Sequence, residues 1–64
     1  MENIQKMAFT LTEAADAINV SVPTMRSMLH QPGFPAFRAG KRWVIPVDEF
    51  RAWLGRQAAE RAEL

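Results

Sequence analysis

TLTEAADAINVSVPTMRSMLH, from Thr10 to His30, reads as two short helices joined by a tight turn. Thr10 followed by Glu13 is a capping-box pattern: the hydroxyl accepts from an orphan N–H of the first turn while the carboxylate reaches back to the cap. A helix therefore starts at about Leu11. Leu11, Ala14, Ala15 and Ile18 recur at the spacing that places them on one helical face, and the two alanines are small enough to let a second helix come close. Asn19 follows, and asparagine is, after glycine, the residue most willing to take the left-handed conformation that ends a helix. Ser21 then caps a new helix, with Pro23 in its first turn, where a missing N–H does little harm.

The second helix has two chemically distinct sides. Val22, Met25 and Leu29 form its inward face and leave Pro23, Thr24, Arg26, Ser27 and His30 pointing outward. That outward face carries hydroxyls, one guanidinium, one imidazole and no acid, which is the chemistry of a surface that reads the edges of DNA bases. An ordinary helical hairpin around a small core would show the same two amphipathic stretches, so the rest of the chain has to separate the two readings.

Downstream, Gln31-Pro32-Gly33-Phe34-Pro35 is dense in helix breakers, and Pro32 stops the second helix at or before His30 or Gln31. Phe34 reads as a core plug. Ala36 to Arg38 and Arg42 to Ile45 flank Ala39-Gly40-Lys41, and glycine as the first of two central residues suits a type II′ turn, although a longer loop fits as well. The result is a short β-hairpin with a basic tip. In a two-residue turn Arg38 faces Trp43 and Ala36 faces Ile45 on one side of the ribbon, with Phe37 and Val44 on the other. Pro46 closes the strand and opens a last helix, in which Val47, Phe50, Trp53, Leu54 and Ala58 form an apolar stripe and Asp48 and Glu49 occupy the dipole-favoured first turn. Gly55 weakens that helix, and residues 57–64 either extend it or fray.

Upstream, residues 1–9 show no clear period. Ile4, Met7 and Phe9 suggest that part of this segment lies along the core, with Phe9 placed against the first helix and the first few residues loose. The expected division is thus an N-terminal segment over 1–9, one domain over 10–55, and a C-terminal helical extension or tail over 56–64.

Composition sets the outer limits. At 64 residues the chain is one domain near the lower size at which a core forms without staples. It has no cysteine, so neither disulfides nor thiolate metal sites are available, and the single histidine has no second ligand spaced to help it bind metal. No cofactor is expected. With one histidine, no cysteine and no phosphate loop, the chain does not read as an enzyme. No apolar run approaches the roughly 20 residues of a membrane span, and no signal-peptide core opens the sequence, so a cytoplasmic protein without a membrane partner is expected.

Net charge is only +1, but its distribution is uneven. Between Asp16 and Asp48 there is no acid, whereas Arg26, Arg38, Lys41 and Arg42 all fall in that interval. A near-neutral chain can still present a positive face when its middle is purely basic.

Helix, turn, helix, basic hairpin, helix is the order of a winged helix-turn-helix: a mainly α fold of three helices plus a two-stranded wing. LTEAADAINVS followed by FPAFRAGKRWVIPVDEFRAWL also resembles the small excisionase-type DNA-binding domains, relatives of the N-terminal domain of MerR regulators. The likeness runs from Phe9 to Leu54. It rests on Glu13-Ala14-Ala15, Val20-Ser21 at the turn, Pro35, Arg38-Ala39-Gly40-Lys41-Arg42-Trp43, Ile45, Phe50 and Trp53-Leu54. Asn19 stands where the family usually has glycine, and the second helix offers only Arg26 and His30 where the family often carries several basic or aromatic residues.

The resemblance implies a phage or bacterial protein that binds double-stranded DNA. It would either direct an integrase toward excision or repress a promoter, and it would often act through contacts between neighbouring copies. In the chemistry of the residues themselves, Arg26 is the best candidate for a base contact, with phosphate or solvent as its other destinations. Thr24 and Ser27 suit phosphate or base edges, Pro23 and His30 border the same surface, and Ser21 serves as a cap. In the wing, Gly40, Lys41 and Arg42 form the phosphate-contacting tip, and Arg38 either reaches the backbone or stacks on Trp43, which otherwise reads as core, as does Trp53. An adaptor that docks an integrase through Phe37, Val44 and the tail is the main rival from another class.

Overall fold

The computed structural model describes residues 6–61. Its elements are β1 (Ala8–Phe9), α1 (Leu11–Ala17), α2 (Val22–Met28), β2 (Phe37–Ala39), β3 (Arg42–Pro46) and α3 (Val47–Glu60). The expected winged helix-turn-helix is present, with one addition: the sheet has three antiparallel strands in the order β1-β3-β2.

The helix pair forms as its caps dictate. The Thr10 N–H donates to the Glu13 carboxylate at 2.9 Å and the Glu13 N–H donates to the Thr10 hydroxyl at 3.1 Å, completing the capping box. Lys6 adds an ion pair, Nζ to Oε2 at 2.7 Å. That ammonium and the Thr10 N–H hold the Glu13 carboxyl below its ordinary range. The chain then reverses at Asn19, whose φ of 62° places it in the left-handed region. Across this turn the Val20 N–H donates to the Ala15 carbonyl at 2.9 Å. Ser21 caps α2 by accepting from the Thr24 N–H at 3.2 Å.

Fully or nearly fully buried Ala14, Ala15, Met25, Ile45, Phe50 and Trp53 make the core, which draws on both helices of the pair, the central strand and α3. Small alanines on α1 let α2 approach closely enough for Met25 to be completely enclosed. Phe34 fills the gap as expected: its ring meets Phe50 at 5.8 Å and Trp53 at 4.7 Å, both edge to face.

Three sequence expectations need correction. First, the N-terminal segment, which shows no period in the sequence, ends in a strand: Ala8 pairs with Pro46 and Phe9 with Ile45. The strand also starts α3: the Met7 carbonyl accepts from the Val47 N–H at 2.9 Å, which offsets the lack of a side-chain cap at Pro46. Met7 itself is 88% exposed and does not lie along the core, whereas Phe9 does, edge-on to Phe50 at 6.3 Å. Ile4 lies outside the described residues. Second, Ala58 is exposed rather than part of the stripe, although α3, whose course past Gly55 the residues leave open, does continue to Glu60. A single glycine costs a helix only about 1 kcal/mol, which the flanking alanines and the docked first half withstand. Residues 62–64 lie outside the described residues. Third, Trp43 is only half buried and does not belong to the core; its ring lies under the Arg38 guanidinium instead.

Candidate nucleic-acid interface

The outward face of α2 is organised as a stripe. Arg26 and Ser27 each lie three or four residues from both Pro23 and His30, and with Val22 these residues line one shallow concavity of about 260 Å³. Val22 packs on the core, as its apolar character predicts, and also lines this concavity. Thr24 stands to one side. Its hydroxyl accepts from the Ser21 hydroxyl at 2.9 Å, so it belongs to the cap more than to the stripe. His30 sits just past the end of the helix, in a turn where its N–H donates to the Ser27 carbonyl at 3.1 Å. Each outward side chain is exposed, whereas Met25 on the opposite side is completely buried. The helix is therefore fixed by its inner face and presents an acid-free outer one.

The wing follows the register expected of a two-residue turn. Phe37 pairs with Val44, Arg38 with Trp43 and Ala39 with Arg42. Gly40 has φ of 68° while Lys41 does not share a positive φ, as a turn with glycine in the first central place requires. Alternation along the strands sends Arg38 and Trp43 to the side that holds Ile45, and Arg42, Phe37 and Val44 to the other. Arg38 and Arg42 thus project from opposite faces of the ribbon, with Lys41 at its end. The Arg38 guanidinium carbon lies over the Trp43 ring, 5.4 Å from its centroid. Every residue of β2 is exposed, and Phe37 is 54% so.

A match to the Helix-turn-helix domain family spans residues 8–58, most of the chain. The chain belongs to that family. It comprises small DNA-binding domains and includes excisionase-like proteins, so DNA is the ligand class this helix-turn-helix domain serves. No curated protein and no solved structure matches the chain significantly. Among the described residues no helix is long and apolar enough to cross a membrane.

Sequence reasoning left one feature of the helix-turn-helix domain undecided and missed another. Trp43 reads as core from its place on a hairpin packed against helices, with a stack under Arg38 as the other reading, and the structure has the stack. The double use of Val22 was concealed by its position, the first residue of α2, where a side chain borders the core and the outer face at once.

Proposed function

We propose that this helix-turn-helix domain is an excisionase, a recombination directionality factor of a phage or mobile element, acting in the cytoplasm on nucleoid DNA. α2 enters the major groove with Arg26 at a base edge, most favourably bidentate on guanine, and Thr24, Ser27, Pro23 and His30 against neighbouring edges and phosphates. The wing lies along the adjacent backbone. Arg38 and Arg42, on opposite faces of the ribbon, suit the two phosphate rails that flank a groove, and Lys41 suits the groove between them. An integrase and neighbouring copies of the chain are the protein partners in this reading, with exposed Phe37 and the tail as the surface they would touch.

The observation that carries the reading is the acid-free stripe of Arg26, Ser27 and His30 around one concavity on a helix anchored by completely buried Met25. Four cations, Arg26, Arg38, Lys41 and Arg42, are then available to displace counterions from the duplex. Fluorescence anisotropy on a random-sequence duplex should show log affinity falling with log salt at a slope of roughly −4. A slope near zero contradicts DNA binding through these residues. For excision itself, deleting the gene should abolish the junction product of element excision while leaving integration intact. Retained excision with a derepressed neighbouring promoter would instead make the protein a transcriptional regulator of the same fold.

A further inference from the structure

Arg38 and Trp43 form a unit that none of the contacts holding the fold explains. The indole is half buried and lies outside the core, so its removal leaves no cavity among the buried residues. The guanidinium above it takes part in no ion pair and no side-chain hydrogen bond among the described residues. No acid occurs between Asp16 and Asp48 to capture it. A cation resting on an aromatic face is attracted to the ring quadrupole, which neither neutralises its charge nor consumes its N–H donors as a carboxylate would. Stacking on Trp43 and contact with a nucleic-acid oxygen are therefore compatible states of Arg38.

We propose that Trp43 is a positioning residue for DNA binding: its ring holds the exposed Arg38 guanidinium in place on one face of the wing, with its donors free for an acceptor oxygen of the duplex. The inference rests on the reading of the wing as a backbone-contacting element. It explains why so large an aromatic residue is the second residue of β3, beside the wing tip, where it adds nothing to the buried core. An arginine side chain left free loses several rotatable bonds on binding; one already lying on a ring has lost most of that freedom beforehand, and the affinity gained is bounded by the strength of the stack. The contact also requires a guanidinium, because a planar fork can stack and donate at the same time, whereas an ammonium is a compact, strongly hydrated charge.

A double-mutant cycle on DNA affinity tests this, with Arg38→Ala, Trp43→Leu and the double variant titrated on one random-sequence duplex at fixed salt. Trp43→Leu in the otherwise unaltered chain should weaken binding about two- to fivefold, the range spanned by an exposed cation–π contact. In the Arg38→Ala background the same change should have no effect, because Trp43 acts only through Arg38. Trp43→Phe, which keeps an aromatic face and most of the side-chain bulk, should recover part of the loss and serves as the arm of the cycle if the leucine variant does not fold. An equal loss with and without Arg38, or wild-type affinity in both Trp43 variants, overturns the inference. Either result is distinct from failure of the DNA reading itself, in which the unaltered chain would not bind the duplex.

Discussion

α2 and the wing carry the same kind of side chain on very different mounts. α2 is seven residues long, yet its inner face is locked by Met25, which has no exposure, and its start is tied down by Ser21. The wing is held by a ladder of three residue pairs, β2 is exposed throughout, and Arg38 rests on an indole that lies outside the core. Discriminating among base edges demands fixed geometry, because a bidentate contact is lost with small displacements. Attraction to phosphates tolerates movement and carries no sequence information. The difference in mounting supports the proposed division of labour, in which the helix reads and the wing holds.

The largest effect that would break this contrast comes from its anchor. Met25→Ala should destabilise the domain by about 2–5 kcal/mol. For a domain this small, that is most of the available stability, and circular dichroism should show a largely unfolded chain at 37 °C. A variant that keeps its melting temperature would mean that α2 is not held as described. A smaller effect is expected at the cap of the same helix. Ser21→Ala should cost about 1 kcal/mol and lower the melting temperature by roughly 4–8 °C. Charge removal at Lys41 and Arg42, both fully outside the core, should leave the melting temperature where it is.

Much of this division was legible in the residues before any coordinates. The capping box at Thr10 and Glu13, the left-handed Asn19, the Ser21 cap and the pairing of Arg38 with Trp43 are short-range features, each set by a few neighbouring side chains. What escaped depends on distant parts of the chain. A strand of two residues has no periodicity to detect, and β1 exists because β3 offers it an edge. Gly55 leaves the course of the tail undecided in the sequence; α3 runs on through it to Glu60, beyond the turns anchored by buried Phe50 and Trp53. Trp43 stays outside the core although it shares a side of the ribbon with buried Ile45, which alternation along β3 does not reveal. In the candidate site the stripe of Pro23, Arg26, Ser27 and His30 followed from helical spacing alone, while the diversion of Thr24 to the cap and the shared role of Val22 required the packed structure.

The division of labour is tested most directly by comparing affinity for the best duplex selected from a random pool with affinity for random duplex, in Arg26→Ala and in Lys41→Ala/Arg42→Ala, under one salt condition. Arg26→Ala should lower the ratio of the two affinities by about tenfold, the cost of one good bidentate base contact. The wing pair should weaken both affinities alike and leave the ratio unchanged. The account is contradicted if the wing variant changes the ratio while Arg26→Ala weakens both duplexes equally.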